Sequence, residues 1–290
     1  MLRRRFVDLP WGQMHVLVGG HGGVVPLILL HGAGGNARMM APLVRAMAAT
    51  REVFTPDLPG CGDSDALPDA QPDVARIAMA VFEGLDALGL AQCDVYGAHL
   101  GARVAMELAM LAPARVRRVI LDGIGFYDEA GRQAMLDQVA PMVVPDAEGA
   151  YLHTAHAMCR DYFRYFPWFV RDEPHRHTGP PPDPEAVHAK LLEVLRNGRT
   201  YGVPYHAALR YRAEDRLPLL RLPVLLATNR HDNVAPQAAR AAGLLPGAAT
   251  ALTPGAGSPA AATETAAIFA RFLDAPPADV HPPSILGVDP

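Results

Sequence analysis

Serine is scarce in this chain of 290 residues: Ser64, Ser258 and Ser284 are all it has. Lysine is scarcer still. Lys190 stands alone among 26 basic residues, and the arginines are scattered rather than clustered, which reads as a coding bias. The 30 acidic residues leave a net charge of −4, so there is no basic field to draw in nucleic acid or anionic lipid. The three cysteines, Cys61, Cys93 and Cys159, are odd in number and lack CxxC spacing. That excludes a disulfide framework and a zinc finger, and fits reduced thiols in the cytoplasm. No uninterrupted apolar run approaches the roughly 18 residues of a membrane span, and none of signal-peptide length follows the basic start MLRRRFVDLP. Neither GxGxxG nor GxxxxGK[ST] occurs, which removes dinucleotide and P-loop chemistry. The His175 and His177 pair has no companion ligands nearby, so neither a metal nor a cofactor is expected.

What is present is apolar material in quantity, half of all residues, enough for a large buried core. Residues 6–10 and 13–19 predict a hairpin around Trp11 and Gly12. PLILLHG (26–32), EVFTPDLPG (52–60), CDVYG (93–97) and RRVILDGIG (117–125) predict strands, the first of them buried on both faces. Asp73 can cap a helix whose Val74, Ile77, Val81, Leu85 and Leu88 share one face up to Gly89, and another helix is expected from His99 to Leu111. Such alternation predicts an α/β protein with a mostly parallel sheet covered by helices. The rhythm breaks over 126–217, where the two aromatic-rich runs (161–169 and 201–212) and the proline run 179–184 lie. It resumes with LPVLLATNRHDNVAP (222–236), a strand near 249–253 and a helix near 261–273. The organisation expected is a core of 1–125 and 218–275, a helical cap of 126–217, and a Pro-rich tail of 276–290.

Four segments carry more specific information: HGAGGN (31–36), DLPGCGDSD (57–65), VYGAHLGA (95–102) and HDNVAP (231–236). In this order and spacing the chain resembles the α/β-hydrolase superfamily over nearly its whole length. The first segment is similar to that family's oxyanion loop and the third to its nucleophile elbow, G-x-S-x-G on a strained strand-to-helix turn. The fourth resembles the loop carrying the catalytic acid. The resemblance implies backbone N–H groups of Ala33 and Leu100 as an oxyanion hole, with His31 and Gly32 shaping its loop.

Two departures change the chemistry. The elbow apex is His99, where the family has Ser, Cys or Asp. The loop after the last strand, PGAGSPAAATE (254–264), holds Ser258 where the family's histidine base would stand. His99, Asp232 and Ser258 are what is left of the triad. At a helix N-terminus the dipole disfavours an imidazolium, which predicts a lowered His99 pKa, partly offset by Asp232. A neutral imidazole there can act as a base. Asp232 has helix capping as its alternative role, while Ser258 suits a turn better than catalysis, and Asp57 and Asp63 suit bracing turns. In the cap, Asp161 is a candidate extra acid or base, and Tyr162 and Trp168 are candidates for lining the substrate site. Three functional classes follow. The first is hydrolysis of a small, fairly apolar ester, lactone, amide or C–C bond next to a carbonyl, with His99 as base or nucleophile. The second is a cofactor-independent lyase, isomerase or decarboxylase using His99 as base, and the third is ligand binding without catalysis. The partner expected is a small molecule, with no nucleic acid and no membrane; a homodimer is compatible with the sequence.

Overall fold

A computed structural model describes residues 1–177 and 181–276. His281, Ser284, nearly all of the Pro-rich tail and the start of the proline run 179–184 lie outside the described residues. The strands are β1 (Arg3–Leu9), β2 (Gly12–Gly19), β3 (Leu27–Leu30), β4 (Val53–Pro56), β5 (Cys93–Ala98), β6 (Val116–Asp122), β7 (Val224–Asn229) and β8 (Ala249–Thr253). They form one sheet in the order β1-β2-β4-β3-β5-β6-β7-β8, antiparallel across β1, β2 and β4 and parallel from β4 onward. Among the described residues five α-helices accompany them outside the interrupted stretch: α1 (Ala41–Met47), α2 (Val74–Ala87), α3 (Leu100–Leu111), and one on either side of β8.

Strand β3 shows why the sheet is covered on both sides. Its period of two sends Leu27 and Leu29 into one apolar cluster with Leu43, Met47, Phe269 and Leu273. Ile28 and Leu30 go into the other, with Ile77, Val81, Val104 and Leu108. At about 1.5–3 kcal/mol for each leucine or isoleucine removed from water, four such residues fix the strand in the middle of the fold. Helix α2 starts where Asp73 accepts the Arg76 N–H and ends at Gly89, whose φ of +73° no longer permits a helix.

Between β6 and β7 the chain forms α4 (Glu129–Gln138), α5 (Ala150–Tyr162), α6 (Pro184–Arg196), α7 (Gly202–Arg210) and α8 (Ala213–Arg216). These carry an apolar cluster of their own around Met158, Cys159, Val187, Val194 and Tyr201. Then α9 (Ala238–Leu244) precedes β8, and α10 (Pro259–Leu273) follows it. No helix among the described residues is long and apolar enough to cross a membrane.

Several predicted strands overran. The 117–125 segment stops pairing at Asp122, because Gly123 takes φ +71°, and 222–236 is strand only as far as Asn229. These truncations leave loops at the C-terminal ends of β3, β5, β6 and β7, side by side, where parallel sheets offer their binding crevices.

Candidate active site

The turn between β5 and α3 sets the centre. His99 is the one non-glycine residue with positive φ among the described residues (φ +52°, ψ −105°), so it stands outside the helix expected to begin with it. The two small residues flanking it are dictated by backbone contact. A Cβ on Gly97 would lie 2.1 Å from the Gly101 carbonyl oxygen, and one on Gly101 would lie 2.1 Å from the carbonyl oxygen of Leu30. Neither neighbour can retreat, because both are main chain. Gly101→Ala should therefore cost about 2–3 kcal/mol or more, seen by calorimetry as a Tm lower by roughly 5–10 °C. An unchanged melt would mean the turn is far softer than this packing indicates.

The His99 ring, about half exposed at 49%, extends from the elbow to the loop after β7, where Nε2 lies 3.0 Å from Asp232 Oδ2. The Asp232 side chain serves two ends: Oδ1 accepts the Val234 N–H at 2.9 Å, bracing the turn, while Oδ2 holds the imidazole. The ring passes over Gly123, where a Cβ would come within 2.8 Å of Cε1 and 3.0 Å of Nδ1, so only glycine leaves it room. With Nε2–H donating to the carboxylate, Nδ1 is the basic nitrogen.

The expected lowering of the His99 pKa is corrected by these contacts. Desolvation pulls the imidazole down. The hydrogen bond and charge of Asp232, with a further contribution from Asp122, outweigh it and hold the ring above its ordinary value. For Asp232, partial burial pushes the carboxyl up, and His99 and the Val234 N–H more than reverse this, leaving it below the usual carboxylate range. Asp122 was not foreseen. It ends β6 next to Gly123 and accepts the Tyr96 hydroxyl at 3.0 Å, and burial pushes its carboxyl up despite His99 and Tyr96. A sequence signal existed in the form of a lone acid closing an apolar strand run immediately before a glycine. Arg103, also unforeseen, lies buried beneath the elbow and donates to the carbonyls of His99 and Gly125 at 3.0 and 2.8 Å.

His31 braces the loop 31–36. Its Nδ1–H donates to the Gly32 carbonyl at 2.8 Å, and its Nε2 accepts the Leu58 N–H at 2.9 Å. Burial pushes this imidazole down, and it stays neutral. Gly32 lies against His99, with room for a Cβ only at 3.4 Å from the histidine's own Cβ. Ala33 follows it, and Leu100 opens α3, where first-turn N–H groups find no acceptor inside the helix. Beneath His99 a cavity of about 140 Å³ is lined by Tyr96, Asp122, Asn229, Asp232, Gly255 and Thr265, among others. A more open groove of about 470 Å³ between α9 and β8 reaches Gly123 and Asp232 from behind and does not include His99.

Four other candidates do not join this group. The Ser258 hydroxyl accepts the Ala261 N–H at 3.2 Å and caps α10, and Ser258 is absent from the cavity lining. Asp161 is buried and clamped by Arg160 and Arg171 at 2.8 and 2.9 Å, so its charge is already neutralised within the inserted segment. Trp168 donates from Nε1 to the Val139 carbonyl at 2.8 Å and packs within the inserted helices. Tyr162 is partly exposed and stacks on Lys190. His15, Asp57 and Asp63 come close enough together to suggest a metal cluster. Asp57, however, spends its oxygens on the N–H groups of Ala37 and Asp63 and on His15 at 2.6–2.8 Å, which is turn bracing.

Comparison with known proteins gives a consistent picture. A family model described as alpha/beta hydrolase fold matches residues 25–151. A carbamate hydrolase, RutD, from Azorhizobium caulinodans is 27% identical over 219 residues, covering 74% of this chain and 77% of that protein. A 2-hydroxymuconate semialdehyde hydrolase from Pseudomonas sp. strain CF600 is 36% identical over 104 residues, 34% of this chain and 36% of that one. Among solved structures, the enol-lactonase from Burkholderia xenovorans LB400 superposes with a TM-score of 0.71 at 17% identity, over 93% of this chain and all of that one, a likeness of fold.

Proposed function

Because this chain belongs to the α/β-hydrolase superfamily, we propose that it hydrolyses a small, fairly apolar carbonyl compound (an ester, lactone, amide or carbamate, or a C–C bond next to a carbonyl), with His99 as the base that activates water. The observation that carries this reading is the 3.0 Å contact of His99 Nε2 with Asp232 Oδ2 at the strained apex of the elbow. In an ordinary triad the acid orients a separate histidine; here it orients the residue at the nucleophile's own position. Nδ1 takes a proton from water as the water oxygen bonds to the carbonyl carbon. The negative charge that develops falls to the N–H groups of Ala33 and Leu100, an arrangement that needs no side chain. Collapse breaks the bond to the leaving group, which receives the proton back from the imidazolium. Residues 126–217 serve as the cap over this site. The relatives named for hydrolysis of a carbamate and a semialdehyde, and the fold neighbour named a lactonase, support a carbonyl substrate.

The test is turnover of p-nitrophenyl acetate and a short panel of lactones and carbamates in ¹⁸O-labelled and deuterated water. Label from water in the acid product supports the reading. Deuterium entering recovered substrate, with no labelled acid, would replace it by proton abstraction next to a carbonyl, as in a lyase or isomerase. Binding that survives His99→Ala, with no product in either form, would replace it by a non-catalytic binding protein.

A further inference from the structure

The chain's one lysine is inside the molecule. Lys190, on α6, is 6% exposed, and its ammonium stacks on the rings of Tyr162 and Tyr201 at 4.6 and 5.4 Å. Its helix neighbour Glu193 turns away to Arg38 at 3.9 Å, and among the described residues no carboxylate pairs with Nζ. Desolvation pulls the ammonium down, but the surrounding tyrosine hydroxyls outweigh it, and the group stays charged. Burying a cation without a counter-ion is expensive, and a methionine or leucine would fill the same space at less cost. The position therefore calls for an acceptor that matters.

That acceptor is the Gly34 carbonyl in the oxyanion loop, 2.8 Å from Nζ. Gly34 takes φ +64°, and Tyr205 packs so close that a Cβ there would meet its hydroxyl at 2.5 Å. Holding the Gly34 carbonyl fixes the plane of the next peptide, whose Gly35 N–H donates back to the Gly32 carbonyl at 3.2 Å. The same Gly32 carbonyl is held by His31. The peptide it belongs to carries the Ala33 N–H. We propose that Lys190 is a positioning residue of the oxyanion hole, reaching from the inserted helices through the Gly34–Gly35 peptide to aim the Ala33 N–H. The proposal rests on the reading of Ala33 as an oxyanion donor. A tyrosine-caged ammonium suits the task because its cation–π contacts hold the charge while leaving a proton for the carbonyl.

The experiment compares wild type, Lys190→Met and Lys190→Ala in the full chain, by kinetics on p-nitrophenyl acetate and by amide hydrogen exchange. Expected for Lys190→Met is kcat lower by about 10- to 100-fold, less than loss of a donor itself costs, with KM and the acid limb of the pH profile unchanged. Exchange should quicken over residues 32–36, and propylammonium ions should restore part of the Lys190→Ala rate. Unchanged kcat and unchanged local exchange overturn the proposal. So does a raised KM with kcat intact, which would make Lys190 a substrate contact, and so does failure of both variants to fold, which would make it a stability residue. The exchange readout stands without turnover. Activity surviving His99→Ala would defeat the functional reading alone, whereas an inert Lys190→Met beside a dead His99→Ala would defeat only this one.

Discussion

His99→Ala is expected to lower turnover by about 100- to 10,000-fold, the range general-base assistance supplies, with partial recovery in added imidazole. Its stability should scarcely change, because the ring is half exposed and the strain at residue 99 resides in the backbone. Alanine keeps a Cβ at φ +52° and so keeps that strain; glycine does not. His99→Gly should consequently melt at or above the wild type, which makes the glycine variant the sharper control for separating chemistry from folding. The pH dependence of the comparison has a definite sign. A histidine whose folded pKa is raised stabilises the fold below its unfolded value near 6.5, and loses that contribution as pH rises through the folded value. Any stability lost in His99→Ala should therefore be fully present below about pH 6.5 and fade as pH rises through the folded value. A large drop in Tm that does not fade with rising pH would instead make the imidazole a structural element.

Asp232→Asn is expected to lower kcat by about 100- to 10,000-fold with little change in KM, since in the proposed mechanism the carboxylate orients the base without contacting substrate. It also moves a pKa. The hydrogen bond and charge of Asp232 are what hold His99 above its ordinary value. Without them burial and the helix dipole pull the imidazole down, and the acid limb of the kcat profile should shift to lower pH. Asparagine can keep the brace to the Val234 N–H, so the loop should persist. An unshifted acid limb, or equal effects on kcat and KM, would remove Asp232 from its orienting role.

The sheet, α2, α3 and α10 were legible because each is written in local pattern: the run LILL for a strand buried on both faces, Asp73 and Gly89 bounding α2, Gly97 and Gly101 bracketing the elbow. The pairing of His99 with Asp232 was legible from motif order alone. What pattern could not supply was the sign of the His99 pKa, which depends on an angstrom-scale contact between loops far apart in the chain. Asp122 and Arg103 escaped for a related reason, since their partners are backbone carbonyls and a tyrosine hydroxyl brought in by folding. Asp161 misled because its neutralising Arg171 lies in an irregular segment. Lys190 looks like a compositional accident in the sequence because its acceptor, a main-chain carbonyl, leaves no mark there.

The loop Gly255–Ser258, lying beside the cavity under His99 without an imidazole of its own, bears on descent. Serine introduced at position 99 would have no neighbouring base to accept its proton. A histidine introduced into the loop would find Asp232 already engaged. If His99 is the base proposed above, each change alone forfeits that arrangement, so serine at 99 and a histidine in the loop would have to arrive together. The glycines at 97 and 101 would persist on either side of that divide, because they answer to the backbone and not to the residue between them.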